Sequence, residues 1–211
     1  SGQRIEKLYY NWNGLAAGTN TKDWTIYMGH TTKTAFSSTT DWVPYDNLTE
    51  VFDGEVTLPE SPGWVEIILS APFIYNNTDN LVIAINEYTP GYATSSSAKF
   101  FGTSFAANRG LHLQNDSSAY NPASPAPVGY ESPSLVAGIA NIKLQFGEIP
   151  AVPTFAYSPT SLTFNNVVSG TSSGWQNVTV RNLGQGTLNL YLSNLSLMGD
   201  NPEYFEFDAS N

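Results

Sequence analysis

The chain has 211 residues, 41% apolar and only 12% charged, with a formal net charge of −10 and no cysteine. The lack of cysteine excludes disulfides, thiolate metal sites and cysteine nucleophiles. The acidic balance argues against a nucleic-acid partner, whose phosphates require clustered Lys and Arg, and against anionic membrane surfaces. No apolar run reaches the roughly 20 residues that span a bilayer, so membrane insertion is not expected.

With so few charges, the polar surface must come from Ser, Thr, Asn, Gln and Tyr, a composition suited to strands and turns. Residues 4–12 read as a first strand with Leu8, Tyr10 and Trp12 on one face, followed by a Gly- and Asn-rich turn at 13–21. Residues 22–52 organise the chain. Trp24, Ile26 and Met28 alternate with Thr25 and Tyr27, the period of two of a sheet. A polar loop carrying Trp42 and Tyr45 follows, and extended chain resumes at 48–52 and again at 56–58. Val65, Ile67 and Leu69 alternate within 64–69, and Pro72 is expected to stop that ladder because it has no N–H to donate.

The cluster NNTDN at 76–80 reads as a turn. Residues 81–85 are nearly continuous in apolar character, which predicts a central strand buried on both faces. Residues 87–98 read as loop, 99–105 and 110–114 as the two arms of a hairpin, and Pro-rich 116–133 as irregular surface chain. Ile142, Leu144 and Phe146 alternate with Asn141, Lys143 and Gln145 and close the unit. The Pro-containing stretch 148–153 then links residues 1–147 to a smaller module at 154–211, with strands expected at 161–164, 175–182, 187–197 and 204–208. Many short strands without an amphipathic helix define an all-β fold, a jelly-roll-like or related antiparallel β-sandwich in the first unit.

Residues 155–208 resemble the immunoglobulin-like repeats of the Hydin and abnormal-spindle type. The likeness is carried by SLTF at 161–164, VVSGTS at 167–172, NVTVRNLG at 177–184, GTL at 186–188 and GDNP at 199–202. It implies a small immunoglobulin-like β-sandwich without disulfides, used as a spacer or interaction module. The module is much shorter than the roughly 100 residues of a complete sandwich. It is therefore expected to be incomplete or completed by strand pairing with another chain, and the whole chain to be a fragment of a longer protein. Residues 5–146 resemble a repeated domain of large secreted bacterial surface proteins, through WTIYMGHT at 24–31, FSSTTDWVP at 36–44, NLTEVF at 47–52, GWV at 63–65, PFIYNNTDNLVIAI at 72–85 and NRGLHLQN at 108–115. That resemblance implies an extracellular or cell-surface location and supplies no catalytic residue.

GTSSG at 170–174 matches the nucleophile-elbow pattern, but that motif needs a helix after it and a strand is expected there, so it reads as a turn. His30 and His112 lack metal-ligand spacing and read as structural or surface residues. Asp41, Asp46, Asp53, Asp79, Asp116 and Glu87 admit a glycosidase pair or an oxygen-rich calcium site, although no calcium-loop motif occurs. No cofactor beyond such a structural calcium ion is expected. Aromatic residues are the stronger signal, since sugars stack on their flat apolar faces. Trp12 and Trp24 read as core. Trp42, Tyr45, Tyr88, Tyr92, Tyr120 and Tyr130 lie in loops and are the candidate ligand-binding residues, with packing beneath a loop the alternative fate of each.

The functional expectation is a non-catalytic extracellular surface protein, not an enzyme, whose first module contacts a protein or glycan ligand and whose second spaces or links modules. The alternatives are a carbohydrate-binding module of a larger secreted enzyme, and a subunit of an extracellular fibre or surface layer whose sheet edges pair between chains.

Overall fold

In the computed structural model, residues 2–15, 20–90, 98–114, 133–191 and 195–208 are described. The strands in chain order are β1 (Gln3–Trp12), β2 (Thr21–Thr31), β3 (Leu48–Thr57), β4 (Gly63–Tyr75), β5 (Asn80–Glu87), β6 (Gly102–Ser104), β7 (Gly110–His112), β8 (Ser134–Val136), β9 (Gly138–Ala140), β10 (Ile142–Gly147), β11 (Phe155–Ser158) and β12 (Thr179–Asn182). The fold is all-β and sandwich-like. Among the described residues, helical geometry is confined to short 3-10 turns such as Tyr45–Asn47.

Two antiparallel three-stranded sheets, β10-β1-β4 and β3-β2-β5, supply one core. β1 contributes Ile5, Leu8, Tyr10 and Trp12, β4 contributes Val65, Ile67, Leu69 and Phe73, β2 contributes Trp24, Ile26 and Met28, and β3 contributes Val51 and Val56. The inward sets expected on β1, β2 and β4 are those the structure buries. Ile5 and Leu8 are both fully buried although three residues apart, because the β1 register shifts at Glu6. A second bulge lies on β3: Ile26 pairs with Phe52 and Tyr27 with Glu50, leaving Val51 as the extra residue, fully buried. The separate extended pieces read at 48–52 and 56–58 are thus one strand.

Several expectations are overturned. Pro72 does not end β4, which runs on to Tyr75. Ile68 pairs with Lys7 and Phe73 with Ile5, so Pro72 sits in an excursion opposite Glu6, where no ladder N–H is required. Residues 81–85 are not a central strand. Among the described residues β5 pairs only with β2 and lies at the edge of its sheet; Leu81 and Ile83 reach the core while Ile85 is 39% exposed. Apolar side chains on both faces of a strand do not specify how many neighbours it has.

The hairpin expected around 106–109 does not form either. Gly102 pairs with Ala140 and His112 with Ser134, and the intervening Phe105 and Arg109 donate to the carbonyls of Ala137 and Val136. β6 and β7 are two stretches of one irregular strand against a single partner, β8–β9, with 106–108 looped out.

After β10 the chain forms a ribbon in which Phe155 pairs with Asn182 and Ser158 with Thr179. β11 was not anticipated. The expected strands at 161–164 and 204–208, and the described part of 187–197, enter no ladder, and 175–182 is strand only from Thr179. Their alternating apolar residues have no second sheet to cover them among the described residues; Trp175 is 66% and Tyr204 80% exposed. The ribbon rests on the sandwich through Ser158, whose Oγ donates to the Glu50 carbonyl at 3.0 Å, while Leu183 beyond β12 is buried.

Leu8→Ala should cost about 2–5 kcal/mol of unfolding free energy, as expected for a buried leucine, and Ile85→Ala less than about 1. Urea denaturation of both variants checks this, and equal costs would contradict the edge position of β5.

Candidate functional site

The inward residues of β1, β4 and β10 dictate what the other face of that sheet presents. Lys7, Tyr9 and Asn11 of β1 alternate with buried neighbours, as do Trp64, Glu66 and Ile68 of β4, while Lys143 and Gln145 of β10 flank the half-buried Leu144. Register then assembles them. Tyr9 lies between Lys143 and Glu66, Lys7 between Gln145 and Ile68, and Asn11 opposite Trp64. The side chains fix one another. Lys7 Nζ donates to Glu66 Oε2 at 3.1 Å. Tyr9 donates its hydroxyl proton to the same oxygen at 2.7 Å, with Gln145 Oε1 3.0 Å away. The Lys143 ammonium stands 3.9 Å from the centre of the Trp64 ring, a cation–π contact.

The electrostatics follow from these contacts. Hydrogen bonds from Tyr9 and Lys7 favour the Glu66 carboxylate and hold its pKa below the ordinary value. The bond to Glu66 raises both the Lys7 ammonium and the Tyr9 hydroxyl. Such exposed pairs add little to stability because solvent screens them; their effect is to order a flat surface. Trp64 remains 38% and Ile68 60% exposed. Chemically, the face offers an apolar ring and an aliphatic surface ringed by an ammonium, a carboxylate and amides. It suits stacking and polar contact with a ligand rather than bond making.

The loop aromatics have other fates. Tyr45 packs edge-on against Tyr27, centroids 5.7 Å apart. Tyr88 donates to Asp53 Oδ1 at 3.0 Å, which also accepts from Thr25 Oγ1 at 3.0 Å. Both therefore gather on the outward face of β2, which explains why Thr25 and Tyr27 are buried along with the inward residues. Burial there raises the Tyr27, Tyr45 and Tyr88 hydroxyls, and burial followed by the Asp53 charge raises Glu50. Trp42 is half-buried and tied within its own loop, Nε1 donating to the Thr39 carbonyl at 3.1 Å. Tyr92, Tyr120 and Tyr130 lie outside the described residues.

His30 Nε2 accepts the Asn76 N–H at 3.0 Å and its ring stacks on Tyr75, and His112 is exposed on β7. GTSSG starts within a turn, the Thr171 N–H donating to the Val168 carbonyl, and continues as extended chain with no helix after it. Of the acidic residues, Asp79 is bonded to Asn76, Asp53 to Thr25 and Tyr88, and Glu87 to the Thr89 N–H; Asp116 lies outside the described residues. Among the described residues no three His, Asp or Glu side chains are grouped to hold a metal ion. Loop position does not point to the Trp64 face, whereas strand parity does. The signal was present, since Trp64 precedes the inward triplet Val65, Ile67 and Leu69 by one residue and so must face out.

No protein-family model matches the chain, and no curated protein or solved structure matches it significantly.

Asp41 clamps the Trp42 loop. Its carboxylate accepts from Lys33 Nζ and, at 2.9 Å each, from the Ser37 N–H and hydroxyl. Led by the Lys33 bond, these hold its pKa at about 2 instead of 3.8. A depressed carboxylate contributes stability that is complete above its ordinary pKa and is lost as pH falls toward the folded value. Between pH 3.8 and about 2 the wild type should therefore lose more stability than Asp41→Asn. Urea midpoints across that range check this, and parallel acid profiles for the two proteins would refute it.

Proposed function

We propose that this chain is a non-catalytic interaction module of an extracellular surface protein, and that it contacts its ligand through the outward face of β10-β1-β4. The observation that carries the reading is the exposed Trp64 ring set in a prearranged lattice of Lys143, Tyr9, Glu66, Lys7 and Gln145. Tyr and Trp give large contact area at low cost in conformational entropy, and binding energy concentrates in such anchors. The opposite sheet lends itself less to this role, because Tyr45 and Tyr88 already cover the middle of its outer surface. An indole beside hydrogen-bonding amide and carboxylate groups favours a glycan over an apolar protein ligand. The same observation favours a second reading, a carbohydrate-binding module of a larger secreted enzyme.

A glycan array followed by calorimetry on the best ligand tests the site. Trp64→Ala should weaken binding at least tenfold, about 1.4 kcal/mol, with the far-ultraviolet circular dichroism unchanged. Undiminished binding by Trp64→Ala rejects the face, and glycan hydrolysis abolished by a single substitution rejects the non-catalytic reading.

A further inference from the structure

Arg181 is a polar side chain that the fold leaves partly unsatisfied. It lies on β12 opposite Ala156. Its Nε and Nη2 atoms are both buried and both lack a hydrogen-bond partner. These nitrogens form one edge of the guanidinium, and their N–H groups run side by side, the fork that accepts two oxygens of one oxyanion. Arg4 also has a buried, unpartnered Nε, but its Nη1 donates to the Glu148 carbonyl and pairs with Glu6. A buried lysine can shed its proton, whereas arginine stays charged, so an unpaired Arg edge calls for an anion. Burial does depress the Arg181 pKa below its ordinary value, in accord with an unfavourable environment for the lone cation.

The edge belongs to a residue that lines a cavity of ≈310 Å³ between the β11–β12 ribbon and the sandwich. Thr49, Asn182 and His30 add polar groups to its wall, Phe73 and Leu183 add apolar surface, and among the described residues no acidic side chain lines it. Because His30 Nε2 accepts the Asn76 N–H, its neutral ring carries the proton on Nδ1, a further donor. The volume is at the lower end of small-molecule sites, about 300–1,000 Å³, and so exceeds what a bare ion needs.

We propose that this cavity is a binding site for an oxyanion, the carboxylate, sulfate or phosphate group of a small ligand, taken by the Nε/Nη2 edge of Arg181 with His30 and Thr49 alongside. None of these residues belongs to the Trp64 face, so the two sites stand or fall separately.

The test is a titration of the full chain, followed by amide and His30 ring resonances, with sulfate, phosphate, acetate and glucuronate at constant ionic strength and glucose as the neutral control. Saturable shifts should appear at Thr49, Asn182, Leu183 and His30 with an oxyanion and not with glucose. Glucuronate binding at least tenfold tighter than acetate identifies a carboxylated sugar, and similar affinity for all four identifies the bare oxyanion; either outcome supports the site. Arg181→Gln should weaken the affinity at least tenfold. Arg181→Lys, which keeps the charge but loses the fork, should weaken it as well. Unchanged affinity in Arg181→Gln overturns the proposal. So does the absence of saturable shifts at these residues in the wild type, an outcome that does not depend on whether any variant folds.

Discussion

The two sheets can share one core only because their strands are not regular. Ile5 and Leu8 of β1 have opposite parity, as do Val51 and Val56 of β3, and a flat strand would turn one of each pair to water. Exposing a residue of that size forfeits about 1.5–3 kcal/mol. The extra residues at Glu6 and Val51 restore parity at the cost of a local break in the ladder. The excursion of β4 opposite Glu6 belongs to the same irregularity, and it is what accommodates Pro72 within a long strand.

One end of the sandwich is closed by Phe100, whose ring lies 5.0–5.8 Å from those of Trp12, Tyr10 and Trp24. The chain carrying it also branches the sheet. Asn11 donates to the Asn141 carbonyl, Phe101 to that of Asn11, and Asn141 to that of Phe101. Asn141 is therefore the junction at which the chain leaves its pairing with β6 and joins β1. Two residues later comes Lys143, over Trp64. The aromatic plug and the outward aromatic face thus lie on opposite sides of one sheet, joined through β1 and β10.

What could be read from the residues was local. Alternation located the inward faces of β1, β2 and β4, and that of β10 for Ile142 and Leu144 but not Phe146, which is exposed, because side-chain period and burial are two expressions of one geometry. Pairing was not local. Whether Leu81–Ile85 lies at the centre or the edge of a sheet, and whether β6 meets β7 or a segment some thirty-five residues downstream, depends on long-range contacts that alternation does not encode. Loop position was a poor guide to exposure. Tyr45 and Tyr88 have apolar bodies with one polar tip, and packing over β2 satisfies both parts. The strands read beyond residue 160 show that alternation without an opposing face does not suffice to place a segment in a sheet.

A two-stranded ribbon has marginal stability in water, so the position of β11–β12 must come from its support. Among the described residues β3 is an edge strand, and its carbonyls that face away from β2 need donors. At the bulge two successive carbonyls find them outside the sheet: Val51 accepts from Ser70 Oγ at 3.1 Å and Glu50 from Ser158 Oγ at 3.0 Å. Ser70 comes from the β4 excursion and Ser158 from β11. The irregularity that draws Val51 into the core therefore also supplies the anchor for the ribbon and blunts an edge that would otherwise invite pairing. Thr49, one residue before Glu50 on the same strand, lines the cavity with Arg181. Ribbon docking and the unpaired guanidinium are consequences of one arrangement, because seating Ser158 on β3 also brings the far strand of the ribbon, with its permanent charge, against the sandwich. A charge held there without a counter-ion would oppose the docking that Ser158 and Leu183 favour, and an oxyanion between Arg181 and His30 would reverse the sign of that contribution.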